Sequence, residues 1–373
     1  MGSTVIVTDA KYRAALALMR SLSAAGHRVI LTQTARESSP VIPAFASNCA
    51  AETHYFDCSV EDEAYLDELL ALARNLERPV LFPVGAKTLE AVGKNLARFS
   101  EVCDLAAAPA EVLDRLNDKP TVAARAKALG IPVPRSYENG QIPERFPVVV
   151  KPACGEKFGL TAAARYAIAS NAEEYRRAYE KMSAYGAPIV QERLVGEAVG
   201  VSLLMDGEKA VSAICHRRIR EYPASGGPSA CCESFYDETL VRQSEKLLAS
   251  FGLRGIAMVE YKAGRVLEVN PRIWGSFPLT YAARTTFADD YVRLSRGEAI
   301  DHPLNNYETG VRMHFALSDL AAVADYARHG RFSEAFDGIA DFFRRRTVEG
   351  MHDLEGQDKR PYRVYLKKKF LKR

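Results

Sequence analysis

Across about the first 115 residues, short β-branched runs alternate with helices of amphipathic spacing, and this alternation constrains the fold more than any other feature. Thr4–Thr8 reads as a strand, and Tyr12–Ala25 repeats apolar residues at helical spacing until Gly26 stops it. His27–Thr32 is a second strand, Glu63–Asn75 another helix, and Pro79–Pro83 a buried strand ending at Gly85. Such βαβ alternation predicts a doubly wound parallel sheet. The turn after the first strand is Thr8-Asp9-Ala10-Lys11-Tyr12, without the GxGxxG fingerprint, which argues against a nicotinamide dehydrogenase.

From Asp118 the texture changes. A helix, Thr121–Leu129, runs into Gly130-Ile131-Pro132-Val133-Pro134, whose prolines force extended backbone. Strand-like segments follow at Phe146–Val150, Ile189–Gln191, Gly200–Met205, Lys209–Cys215, Ile256–Tyr261 and Arg265–Val269. Helices at Ala172–Tyr185 and Leu240–Phe251 separate them, so the expected class here is α+β with antiparallel sheets. The last 70 or so residues read as mainly helical to about Arg346, then irregular and basic. With 373 residues, 47% hydrophobic and 26% charged, the chain has the composition of two or three globular domains. A net charge of +3 does not suggest a nucleic-acid partner. The seven cysteines are scattered without a CxxC pair, so neither a zinc site nor a disulfide framework is expected. No apolar run reaches the length of a membrane helix, and Met1–Asp9 lacks a signal-peptide n-region, so the expected location is the cytoplasm.

Val259–Arg272 carries the strongest chemical signal. It reads as a hairpin turning at Gly264, and a three-residue loop over Ala263, Gly264 and Arg265 sets Glu260 opposite Glu268. Asn270, two residues on, shares their face, while Leu267 and Val269 point to the core. Facing carboxylates repel unless a cation separates them. Glu, Glu and Asn form a hard oxygen set suited to Mg²⁺; a solvated polar face is the other reading of the same pattern.

Two lysines form a second signal. Lys151 ends the apolar strand Phe146–Val150, and Lys119 starts the preceding helix, where the helix dipole adds to the pull on anions. Residues 153–161 follow, with Gly155 and Gly159 able to bring backbone N–H groups onto phosphate. A third segment, Pro188–Glu197, is a strand followed by Gly196-Glu197, able to hold a purine by main-chain bonds and a ribose by carboxylate. Between it and the hairpin, Arg217, Arg218 and Arg220 suit an anionic substrate or a γ-phosphate. Arg217 and Arg218 cannot share a strand face, so one of them points into a cleft. Trp274-Gly275-Ser276 reads either as the wall of an acceptor pocket or as core packing.

In this order and at these distances, the three signals resemble the ATP-grasp superfamily over roughly residues 1–310, and in particular its carboxylate–amine ligase branch, with relatives in D-alanine–D-alanine ligase and biotin carboxylase. The resemblance implies an α/β pre-ATP-grasp domain over 1–115 and an ATP-grasp fold of two α+β subdomains over 116–194 and 195–310. A mainly helical extension with a basic tail, 311–373, completes the chain. It further implies that Lys119 and Lys151 hold the α- and β-phosphates, and that 153–161, with Lys157, closes over ATP. Gln191, Glu192 and Leu194 belong to the implied adenine hinge, and Glu197 contacts the ribose. Glu260, Glu268 and Asn270 match the metal positions, for one or two Mg²⁺ ions or Mn²⁺. Arg272 matches the arginine that steadies the transferred phosphoryl group, with Arg218 and Lys151 as further catalytic groups. The loop carries Cys154 and Glu156 where relatives often have Gly or Ser.

The implied activity is ADP-forming amide synthesis through an acyl phosphate, with a small-molecule carboxylate and an amine as substrates. Its competitors are an enzyme of this fold with a thiol or bicarbonate acceptor, and an ATP-binding regulatory protein without turnover. A homodimer is a further candidate assembly. The tail, Pro361–Arg373, has apolar residues 362, 365, 366 and 370 at helical spacing among lysines. It reads either as a helix docked on the protein or as a basic segment for an anionic membrane, and docking is the expectation.

Overall fold

The computed structural model describes residues 2–34, 41–138, 140–153, 160, 164–224, 226–342, 347–354 and 356–370. Its first sheet holds β1 (Thr4–Val7), β2 (Arg28–Thr34), β3 (Ala50–Phe56) and β4 (Val80–Phe82) in the order β3-β2-β1-β4, all parallel. The apolar runs are explained by burial on both faces. Val5, Val7, Val80 and Phe82 enter one core, while Ile6 and Leu81 enter another with Tyr65, Leu69 and Phe99. β3 escapes a hydropathy reading because it is an edge strand with mostly polar and exposed residues, Glu52 and His54 among them.

The second sheet is antiparallel: β5 (Ser136–Tyr137), β6 (Val148–Pro152), β7 (Ala167–Ala169) and β8 (Pro188–Glu192), ordered β5-β8-β6-β7. Val148, Val150 and Val190 pack with Tyr175, Ala178 and Met182 of the helix Ala172–Ser183. Strand parity therefore puts Lys151 on the face away from this small core.

The third sheet holds β9 (Ala198–Asp206), β10 (Ala210–Glu221), β11 (Ser229–Phe235), β12 (Arg254–Lys262), β13 (Arg265–Asn270), β14 (Arg312–His314) and β15 (Thr347–Glu349), in the order β13-β12-β9-β10-β11-β14-β15. One face, with Val199, Val201 and Leu203, packs on the helix Glu238–Ala249. The other, with Leu204, Ile214 and Met258, shares a core with Trp274, Phe277 and the helix of β1–β2, Arg13–Ala24. Trp274 is thus a packing residue, edge-on to Phe277 and Phe287.

Three of these strands lie outside the expected ones. β11, Ser-Ala-Cys-Cys-Glu-Ser-Phe, has no β-branched residue; β14 is three residues within a stretch expected to be helical, and β15 three residues at the start of the end expected to be irregular. Helices Ala316–Arg328 and Phe332–Phe342 do occupy that stretch. The expected irregular end is in part a helix, Arg360–Phe370, with Tyr362 and Tyr365 against the large core and Phe370 exposed. No helix among the described residues is long and apolar enough to cross a membrane.

Candidate active site

The β12–β13 hairpin sets Glu260 directly opposite Glu268, by a different route from the expected one. The turn has two residues, not three: Lys262 pairs with Arg265, and Ala263 and Gly264 have φ of 49° and 71°, the left-handed pair of a tight hairpin turn. That turn alone would pair Glu260 with Leu267. A bulge at Leu267 shifts the register by one residue and restores the facing carboxylates. The bulge also changes which side chains go inward. Val266 and Val269 are buried, whereas Leu267 is only half-buried and not in the core as expected.

Each carboxylate has its own cation. Lys119 Nζ lies 2.9 Å from Glu268 Oε2, and Arg218 Nη2 lies 2.6 Å from Glu260 Oε2. Asn270 Nδ2 sits between them, donating to Glu260 Oε1 at 3.1 Å and Glu268 Oε1 at 3.5 Å. Arg272 donates from Nη2 to Asn270 Oδ1 at 3.4 Å and from Nη1 to the Ile273 carbonyl at 2.9 Å. Lys119 arrives from the first turn of the helix Lys119–Ala128, which Asp118 caps through the Thr121 N–H. Arg218 also pairs with Glu221 at 3.1 Å, an acidic partner that strand spacing did not single out.

The environments push the two carboxyls apart. Burial raises Glu260, with Glu268 adding to the rise and Arg218 opposing it. Burial would raise Glu268 too, but Lys119 and Lys151 outweigh it and hold this group at about 2. Burial lowers the Lys151 ammonium to about 8, with Lys119 adding to the fall and Glu268 and Glu260 opposing it. Four cations, Lys119, Lys151, Arg218 and Arg272, thus converge on two facing carboxylates, an arrangement suited to a polyanion. Among the described residues the buried Nε–H of Arg218 has no partner, a donor in reserve for such a ligand.

Residues able to hold a divalent cation are the same three. Among the described residues no group of three His, Cys, Asp or Glu side chains forms a metal cage. Two carboxylates and one amide oxygen remain, the sparse hard set that Mg²⁺ accepts when phosphate and water complete its shell. The Asn270 NH₂ donates to both carboxylates, while Lys119 and Arg218 balance their charge. The donor set fits the ion.

The hinge residues are placed next to this cluster, not in it. Gln191 is buried on β8, Leu194 is half-buried, and Glu192 Oε1 accepts from the Arg135 N–H at 2.9 Å and from Arg265 Nη1 at 3.1 Å. Glu192 therefore ties the small sheet to β13. Glu197 is exposed and meets Arg217 at 3.4 Å, on the strand face opposite Arg218. The three arginines of β10 go three ways: Arg218 to Glu260, Arg217 over the Phe235 ring at 4.5 Å, and Arg220 to buried Asp319 and Asp341. His216, also unforeseen, shares the Arg218 face and lies 3.2 Å from Ser276 Oγ. Burial, with Arg218, lowers His216 to about 3 and keeps it neutral. Lys157, Cys154 and Glu156 lie outside the described residues.

Residues 116–276 match the family described as ATP-grasp domain. A D-alanine–D-alanine ligase of Fusobacterium nucleatum is 28% identical over 155 residues, 39% of this chain and 50% of that enzyme. The chain thus spans about half the length of this curated relative. Among solved structures, the biotin carboxylase domain of Hydrogenobacter thermophilus 2-oxoglutarate carboxylase, determined with MgADP, ADP and bicarbonate, superposes with a TM-score of 0.61 at 14% identity, over 84% of this chain and 73% of that one. Biotin carboxylase of Campylobacter jejuni gives 0.60 at 15% identity, over 83% and 74%. L-amino acid ligase of Bacillus licheniformis gives 0.56 at 14% identity, over 79% and 74%. These likenesses establish a shared architecture, that of an α/β unit followed by two α+β units.

Proposed function

From the premise that residues 116–276 of this chain are an ATP-grasp domain, we propose that the protein is an ADP-forming carboxylate–amine ligase. The observation that carries the reading is the pair of facing carboxylates, Glu260 and Glu268, ringed by Lys119, Lys151, Arg218 and Arg272. The D-alanine–D-alanine ligase likeness favours an amine as the acceptor.

In this reading Lys119 and Lys151 bind the α- and β-phosphates, β8 and Leu194 line the adenine, and Glu197 reaches the ribose. One or two Mg²⁺ ions, or Mn²⁺, on Glu260, Glu268 and Asn270 supply charge neutralisation at the phosphate oxygens. A substrate carboxylate oxygen attacks the γ-phosphorus, the bond to the β-γ bridging oxygen breaks, and ADP leaves. Arg272 and Arg218 hold the three equatorial oxygens while charge spreads over them. The amine then attacks the acyl carbon, phosphate departs with the bonding electrons, and the nitrogen loses a proton to give the amide. Arg218 is pre-positioned by Glu221, and the neutral His216 behind it adds no competing charge. No nucleophilic side chain is required. The same reading divides the chain at 115/116, 194/195 and 310/311, and places it in the cytoplasm.

The decisive experiment is ADP release screened against carboxylates with and without amines, comparing the natural chain with Glu268→Gln. The variant is expected to lose activity by about 100-fold or more while keeping its thermal transition, because one charged ligand and the Lys119 partner are gone. Turnover near the natural rate would remove Glu268 from the metal set.

A further inference from the structure

A cavity of about 640 Å³ lies away from the facing carboxylates, bounded by the start of the helix Arg13–Ala24, the turn at Pro43 and Ala44, and the C-terminal helix. That volume is in the range of small-molecule sites. Its wall carries Lys11, Arg13, Lys368 and Lys369, and no acidic residue among those described lines it. Tyr12, Tyr365, Leu16 and Met351 give it an apolar surface as well.

Arg13 is the informative group. Its guanidinium lies flat against Phe315, 3.4 Å from the ring centroid, and burial lowers its pKa. Glu349 and the Tyr365 hydroxyl act on it through space, yet among the described residues it forms no ion pair or hydrogen bond. This half-buried guanidinium, held by stacking and set in the cavity wall, offers its N–H donors to an anion entering the cavity. The helix start beside it adds to the same field: Tyr12 stands at the N-cap without a side-chain capping bond. A residue of β11 links the cavity to the facing carboxylates. Cys232 pairs in register with Arg218, and its thiol feels both Arg13 and Arg218.

We propose that this cavity holds the acid that the enzyme activates, and that this acid carries a second anionic group, a carboxylate or phosphate, bound by Arg13 and Lys11 beneath the C-terminal helix. The identity of the acid as substrate rests on the ligase reading above; the anion site rests on the cavity itself. Its mixed lining selects an organic dianion with an apolar body over a small inorganic one.

The full chain is tested by thermal shift without nucleotide, and by ADP release, against matched pairs: succinate and butanoate, glutamate and glutamine, phosphotyrosine and tyrosine. One or more of the dianions is expected to stabilise the chain and to support ADP release, at least about tenfold more effectively than its partner. Arg13→Gln should abolish that preference while the shift produced by a magnesium–ATP analogue persists. The surface double variant Lys368→Gln/Lys369→Gln should weaken the preference severalfold, which keeps the test open if Arg13→Gln folds poorly. Equal response to both members of every pair, or dianion binding unchanged in both variants, overturns the proposal. Dianion binding lost in Arg13→Gln, with no ADP released for any acid, leaves the anion site standing and overturns the substrate role together with the ligase reading.

Discussion

Lys151 shows how much chemistry a single position acquires from burial. At the end of an apolar strand it is an ordinary lysine; facing Lys119, Glu260 and Glu268 it titrates at about 8. The direction is set by burial, which penalises the charged form, and by Lys119, while the carboxylates resist. The free protein therefore holds this ammonium below pH 8 and loses it as pH rises through 8. Bound phosphates favour the charged form, so nucleotide binding must take up a proton above that pH. Calorimetry with a non-hydrolysable ATP analogue and Mg²⁺ is expected to show affinity falling about tenfold between pH 7 and pH 9, one unit either side of that value. Lys151→Ala should bind weakly and flatten the profile. A natural chain whose affinity is constant over that range would show that Lys151 does not serve the phosphates.

At the scale of an element, the β12–β13 hairpin couples turn chemistry to the metal set. The two-residue turn and the bulge at Leu267 act together, and neither alone leaves Glu260 facing Glu268. Gly264 sits at φ 71° with open space where a side chain would begin, so Gly264→Ala meets no clash and pays only for the left-handed backbone. The expected loss is about 1 kcal/mol in urea unfolding, with the chain still folded. A larger loss, accompanied by failure to bind nucleotide, would indicate that the turn controls the register more strongly than the bulge. The sequence announced the hairpin, its turn glycine and its facing acids, since these depend on neighbours in the chain. It concealed the bulge, because a register shift of one residue leaves the same composition and nearly the same alternation.

Over the whole molecule, the C-terminal segment fastens the two ends of the chain together. Arg20, in the first helix, donates from Nε and Nη2 to Asp358 Oδ2 at 3.1 and 3.0 Å and from Nη1 to the Met351 carbonyl at 2.9 Å. Ser47 Oγ donates to the same Asp358 oxygen at 2.6 Å, and all three side chains are buried. The helix Arg360–Phe370 follows, its Tyr362 and Tyr365 rings on the large core and Lys368 Nζ donating to the Val41 carbonyl. Removing residues 361–373 is therefore expected to lower the thermal transition by several degrees, through lost aromatic burial. Flotation with anionic vesicles at moderate salt should not distinguish the natural chain from the truncated one. Robust flotation of the full chain, lost on truncation, would make the tail a membrane element.

The sequence by itself determined β1, β2 and β4 of the first sheet with the helices between them, the change of texture near Asp118, and that Glu260, Glu268 and Asn270 belong to one hairpin. These are local properties: periodicity records which face of a segment is apolar, and a glycine turn between two apolar arms announces a hairpin, although the facing of its acids also needed the bulge at Leu267. Tertiary structure decided the partners. Lys119 reaches Glu268 and Arg218 reaches Glu260 because separate elements pack side by side, and charge pattern along a strand does not say which distant residue it will meet. β14 and β15 are strands because the edge of a seven-stranded sheet offers them hydrogen bonds, not because three residues prefer to be extended. Arg13 lay unremarked inside the expected helix Tyr12–Ala25; packing against Phe315 set its guanidinium in the wall of a basic cavity beneath the C-terminal helix, a placement that the charge pattern of one helix does not reveal.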